Sequence, residues 1–198
     1  MKTNSGVITP IHPLGGPLEF LEELKAALSD LDIDEVDAVV DLLVGVHRAG
    51  RHVYVMGNGG SAATASHFAC DLHAATRGPK RLKVTSLNDN VPLLTALAND
   101  FGYEYVFSEQ LGCSVSRDDL VILLSASGDS ANIVRAAHVA RERGAITVGM
   151  LGFGGGQARS LVDHSIVLSN SSFGIVESVH NALAHLIAST FRSRVAGE

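Results

Sequence analysis

The chain has 198 residues, is 46% hydrophobic and 18% charged, and carries a net charge of −6. That length supports one domain with a substantial core, and an acidic balance without a basic stripe argues against a general nucleic-acid binder. Two cysteines, Cys70 and Cys113, make no disulfide framework, and no apolar run approaches the ~18 residues that cross a bilayer. The opening MKTNSGVITPIHPLGGP lacks the long apolar stretch of a signal peptide. A reduced, cytoplasmic setting with no membrane partner is the simplest expectation, with residues 1–17 as a flexible lead-in and 18–198 as a single domain.

Leu18, Leu21, Leu24 and Leu28 recur at helical spacing, and Ser29-Asp30 can close that helix. Asp32 or Asp34 can cap a second helix over about 35–48, whose apolar stripe (Val36, Val39, Val40, Leu43, Val44) is wide. Ala49-Gly50 ends it. Val53 to Met56 is a short apolar run that reads as a buried strand. It breaks into Gly57-Asn58-Gly59-Gly60-Ser61 and then an Ala-rich helix. After a basic loop, Arg77-Gly78-Pro79-Lys80-Arg81, come a strand near 82–87, a short helix over 91–98 and another helix over 105–111.

Leu120 to Leu124 is a second buried apolar run, breaking into Ser125-Ala126-Ser127-Gly128-Asp129-Ser130-Ala131-Asn132. A helix over 133–143 follows, stopped by Gly144. Then come a strand over 145–150, the glycine-rich segment 151–156, a short strand over 165–168 and a last helix from about 175 to near 194. Strands alternating with helices, with continuous apolar strands, predict an α/β fold whose parallel sheet is covered on both faces.

The loops GNGGSA and SASGDSAN both follow buried strands and precede helices. That edge of an open α/β sheet is where ligands bind, and backbone N–H groups at a helix start favour an anion. The first loop is G-x-G-G-S rather than G-x-G-x-x-G, and neither contains the G-K-[ST] of a P-loop, so a simpler phosphorylated ligand is favoured over a nucleotide. His67 and Asp71 lie four apart on the helix after the first loop, so both project from one face. Cys70 beside them reads as a buried thiol rather than a ligand. The wide apolar faces of the two N-terminal helices and the last helix are more readily explained by contacts between subunits than by a core within one subunit.

GNGGSAATASHFACDL, SLNDNVPLLTALANDFGYEYVFSEQL and LLSASGDSANI together resemble the sugar isomerase (SIS) domain family, and more closely its phosphoheptose isomerase branch. That branch converts sedoheptulose 7-phosphate to an aldoheptose 7-phosphate. The resemblance implies a three-layer, flavodoxin-like sandwich with a five-stranded parallel sheet. It also implies a homotetramer in which the N-terminal helices pack between subunits, with active sites at the interfaces. Phosphate contacts would fall on Ser125, Ser127 and Ser130, with Ala126 where a Thr is usual. Ser61 and the backbone of Asn58, Gly59 and Gly60 would line the sugar-phosphate pocket, with Asn99 and Asp100 nearby.

The family's metal and catalytic set falls on His67, Asp71, Glu177 and His185, with one zinc per subunit. Asp71 stands where the family has Glu, and Glu177 where it has Gln; imidazole nitrogen and carboxylate oxygen both suit zinc. Glu177 would also touch the substrate. For an aldose–ketose isomerisation through an enediol, Asp71 or Glu177 would be the base and His185 the general acid/base. His180, three residues after Glu177, is an alternative partner or an interfacial residue. The implied product is D-glycero-D-manno-heptose 7-phosphate. A non-catalytic SIS module that binds a phosphosugar or a protein is the other reading, distinguished by whether these four side chains converge.

Overall fold

The computed structural model describes residues 15–77 and 80–196. The lead-in therefore lies outside the described residues as far as position 14, and so do Gly78 and Pro79 of the basic loop. The elements run α1 (Pro17–Ser29), α2 (Ile33–Arg48), β1 (His52–Gly57), α3 (Gly60–Ala75), β2 (Lys83–Ser86), α4 (Val91–Asp100), α5 (Ser108–Ser114), β3 (Leu120–Ser125), α6 (Ala131–Glu142), β4 (Ile146–Leu151), β5 (His164–Val167) and α7 (Phe173–Val195). The five strands form one all-parallel sheet in the order β2-β1-β3-β4-β5, the α/β sandwich expected from the sequence.

Alternation along each strand builds two cores. Val53, Val55, Leu120, Ile122, Leu124, Val148 and Met150 face α2, α3 and α7. Tyr54, Met56, Val121, Leu123 and Leu151 face the other way, onto Val106, Phe107, Leu111 of α5 and the Ile133–Ala140 face of α6. A fully buried aliphatic side chain of this kind contributes roughly 1.5–3 kcal/mol, so the two central strands anchor the whole molecule.

Local chemistry fixes the ends. Asp32 is the residue that caps α2, its carboxylate accepting from the N–H groups of Asp34 (3.0 Å) and Glu35 (3.3 Å). Gly144, at φ +75°, turns the chain after α6. The helix expected over 105–111 is instead split. A 3₁₀ turn covers Tyr103–Tyr105 and α5 starts only at Ser108, because Val106 and Phe107 are drawn fully into the core between them.

The apolar faces of α2 and α7 are core within one subunit, burying Val36, Val39, Val40 and Leu43 on α2 and Ile175, Val179, Leu183, Ile187 and Phe191 on α7. α1 differs. It buries no residue, and Leu18 and Leu21 remain 72% and 59% exposed.

Candidate active site

The strand order reverses between β1 and β3, because β1 leads outward to β2 while β3 begins the other half. The loops after these two adjacent strands are the two singled out in the sequence, so both flank the crevice where such sheets bind ligands. Their residues Asn58, Ser61, Ser125, Ala126, Ser127 and Ser130, together with Phe173 and Glu177, line a cleft of about 80 Å³. α3, α6 and α7 all begin at this cleft, and the partial positive charge of a helix start favours an anion. No lysine or arginine lines it. Hydroxyls and helix ends are what it offers a phosphate.

The serine loop is held from within and from behind. Ser125 Oγ accepts from the Gly128 N–H (3.0 Å), and Ser127 Oγ from the Asp129 N–H (3.2 Å). Behind it sits the glycine-rich segment after β4. The Ala158 N–H donates to the Gly128 carbonyl (2.9 Å), and the Gln157 N–H to Asp129 Oδ1 (2.9 Å). Gly128 has φ +70°, and a Cβ there would strike the Gly155 carbonyl, so backbone packs directly on backbone. The glycines at 152–156 thus buttress the phosphate loop; no lining residue of the cleft comes from them.

α3 and α7 lie side by side and run in the same direction. Near the start of α7 the Glu177 carboxylate lies against the α-carbon of Gly60, where any Cβ would collide with it. Two turns on, His185 meets the middle of α3. Its Nδ1 is 2.9 Å from Asp71 Oδ2, and His67 Nε2 is 3.5 Å from the same oxygen. The two imidazoles meet edge to face, with centroids 4.9 Å apart. One carboxylate is therefore shared between two histidines, whose side chains are about half exposed.

The donor atoms of His67, Asp71 and His185 all lie within 4.8 Å of one another. Tetrahedral zinc with bonds of about 2.0–2.1 Å spaces its ligand atoms roughly 3.3 Å apart, so two imidazoles and a carboxylate at these separations fit such an ion. Without a metal the same contact is a carboxylate–imidazole pair: a His185 Nδ1–H donating to Asp71 leaves Nε2 as the acid/base nitrogen.

The expected residues fall into three places. His67, Asp71 and His185 form one cluster. Asn58, Ser61, Ser125, Ala126, Ser127, Ser130 and Glu177 line the cleft, with Gly59 and Gly60 at its lip as the N-cap and first residue of α3. Glu177 stands with the cleft, apart from the three-residue cluster. Asn99 and Asp100 lie exposed at the end of α4, with Asn99 Nδ2 donating to Asp100 Oδ1 (2.8 Å), and neither lines the cleft.

Two expectations need correction. Cys70 is exposed rather than a buried thiol. His180 does not join Glu177, because it faces inward: it is fully buried, and neither ring nitrogen makes a well-formed hydrogen bond, a weak approach to the Leu151 backbone aside. Burial pushes its pKa down to about 4, and the Leu151 backbone pulls it back only in part.

Three contributing residues carried no functional reading from the sequence. Asn132 lies within the SASGDSAN loop, which carries no separate role for it; its side chain pairs with that of Asn58. Tyr103 reaches the same Asn58. The Asn88 side chain pairs with both backbone groups of Gly57 (3.2 and 2.8 Å), continuing the sheet where β2 has ended.

Residues 19–152 match the model of the SIS domain family. A phosphoheptose isomerase of Geobacter sulfurreducens is 33% identical over 178 residues, covering 89% of this chain and 92% of that protein. Among solved structures, a phosphoheptose isomerase from Neisseria gonorrhoeae superposes with a TM-score of 0.79 at 25% identity, over 89% of this chain and 92% of that one. One from Francisella tularensis gives 0.82 at 21% identity, over 89% and 94%, a likeness of fold.

Proposed function

The chain belongs to the SIS domain family, among its phosphoheptose isomerases, and from that premise we propose that it interconverts sedoheptulose 7-phosphate and D-glycero-D-manno-heptose 7-phosphate. The observation that carries the reading is the Asp71 carboxylate shared between His67 and His185, on the two helices that also open the phosphate cleft.

The reaction moves a proton between C1 and C2 of the sugar. One group removes the C1 proton, another protonates O2 to give the enediol, and the reverse transfers at O1 and C2 complete the aldose. Ser125, Ser127, Ser130 and Ser61 hold the phosphate, with the backbone of Asn58, Gly59 and Gly60 beside it. Anchoring that end restricts how the reacting carbons sit. Asp71 or Glu177 takes the carbon-bound proton, and His185 exchanges protons at the oxygens through the nitrogen that does not face Asp71. His67, Asp71 and His185 would hold a zinc ion, with Glu177 outside that set at the cleft end of the helix pair. Bound there, zinc polarises the carbonyl and stabilises developing negative charge.

A homotetramer in the cytoplasm completes the proposal. It is supported by exposed apolar surface on two helices with no fully buried residue in the subunit, α1 and α4, the latter with Val91 60% exposed and Phe101, just beyond its end, 59% exposed. Two unpaired cysteines suit a reducing compartment.

Purified protein supplied with zinc should form the aldoheptose from sedoheptulose 7-phosphate, and Asp71→Ala or His185→Ala should abolish turnover. Unchanged substrate with and without zinc would sink the proposal and favour a binding module.

A further inference from the structure

The one carboxamide in the phosphate cleft is held by a polar network that reaches two elements away. Asn58 Oδ1 accepts two hydrogen bonds, from Tyr103 Oη and from Asn132 Nδ2, both at 2.9 Å. Asn58 Nδ2 donates to Asn132 Oδ1, also at 2.9 Å. Asn58 and Asn132 thus form a closed amide pair, and the Tyr103 hydroxyl adds a third hydrogen bond at the Asn58 oxygen. Asn132 is 2% exposed, so half of the pair is sealed in the protein. Asn58 itself lines the cleft. Each Asn NH₂ carries two hydrogens, and the pair uses one of those on Asn58.

We propose that Tyr103 and Asn132 are positioning residues that fix the Asn58 side chain, leaving its second N–H as a donor to the phosphosugar; this rests on the isomerase reading above. The 3₁₀ turn that carries Tyr103 is built to stay in place. Gly102, at φ +105°, sets its start, and the Arg135 guanidinium lies 4.4 Å over the Tyr105 ring, tying the turn to α6. Asn132 belongs to α6 as well, so both supports of Asn58 move with that helix. A free Asn58 could rotate its amide and present the oxygen to an anion. Rotating Asn58 alone would set NH₂ against NH₂ and oxygen against oxygen across the Asn132 pair, so that pair opposes the flip, and the Tyr103 hydrogen bond holds the carboxamide in place.

The test is a double-mutant cycle on kcat/KM for sedoheptulose 7-phosphate, using the zinc-supplied full chain and the variants Tyr103→Phe, Asn58→Ala and both together. Tyr103→Phe removes one hydroxyl and keeps the ring. It should lower kcat/KM roughly threefold to tenfold, the scale of one such hydrogen bond. In the Asn58→Ala background the same change should be silent, because there is no amide left to orient. An equal loss in both backgrounds would show that Tyr103 acts on its own account and overturns the proposal. If the unaltered protein does not turn the sugar over, the isomerase reading fails, and the clamp is decided by the same cycle on urea-unfolding midpoints. Coupled shifts there support it, and additive shifts overturn it.

Discussion

Replacing His180 with leucine should remove a specific acid sensitivity from the protein. The imidazole is fully buried and makes no well-formed hydrogen bond, and burial, opposed only weakly by the Leu151 backbone, lowers its pKa from 6.5 to about 4. The sign follows from proton counting. Between these two values the unfolded chain binds a proton at His180 and the folded chain does not, so stability falls as the pH falls through that window. Above 6.5 neither state is protonated and the residue is neutral toward pH. The gap from 6.5 to about 4, at about 1.4 kcal/mol per tenfold, corresponds to roughly 3 kcal/mol lost across the window. Urea unfolding of the wild type and His180→Leu at fixed protein concentration, from pH 7.5 down to pH 4.5, measures it. Carboxylates and the other histidines titrate alike in both proteins, so the difference between the two curves isolates His180. The variant should gain on the wild type progressively below pH 6.5, whatever the offset at pH 7.5, where leucine trades a buried polar ring for packing. Parallel curves would mean that His180 is hydrated or hydrogen-bonded, and the reasoning from burial would be wrong.

Three further outcomes are expected. Asp71→Asn keeps the side-chain shape but removes the charge shared by His67 and His185; bound zinc measured by elemental analysis should fall well below one per subunit, and turnover should drop at least about 10²-fold. Gly128→Ala adds a methyl at φ +70° against the Gly155 carbonyl, so urea unfolding should show a loss of roughly 1–3 kcal/mol together with weaker phosphate binding; unchanged stability would mean that the two loops can part freely. Glu177→Gln removes the one carboxylate from the cleft, and inorganic phosphate should bind about tenfold more tightly by calorimetry, since like charges no longer oppose each other there.

What the sequence made legible was the part governed by short-range pattern. Buried runs such as Val53–Met56 and Leu120–Leu124 could only be core strands, and the small residues after each marked the ligand edge. His67 and Asp71 were legible as a pair because helical spacing alone puts them on one face. His185 joined them only through the resemblance, since its contact with Asp71 spans 114 positions and depends on α3 and α7 being neighbours. Asn99 and Asp100 show the limit from the other side: they are adjacent to the turn that reaches the cleft, but it is Tyr103 that makes the contact. The inward turn of His180 was likewise hidden, because three residues on from Glu177 a helix has turned about 300°, leaving the two only about 60° apart, and only the tertiary packing says that one flank of that narrow sector is core and the other cleft.

Where the family resemblance implies Glu at position 71 this chain has Asp, a carboxylate shorter by one methylene, and the geometry shows how that shorter side chain still meets both histidines. α3 and α7 each start at the carboxyl edge of the same parallel sheet, so they run alongside each other in step. Glu177 and His185 are eight residues apart, about 12 Å along the axis at 1.5 Å per residue. The corresponding stretch of α3 runs from Gly60, which faces Glu177, to the 67–71 turn, which faces His185. Across the helix pair the aspartate reaches His185 at 2.9 Å, and along its own helix it reaches His67 at 3.5 Å. The same in-step pairing holds Glu177 at the opposite end, beside the phosphate cleft rather than in the histidine cluster. The helix pair therefore presents hydroxyls and helix starts at one end and an imidazole–carboxylate pair at the other, an arrangement that suits the proposed separation of phosphate binding from proton transfer.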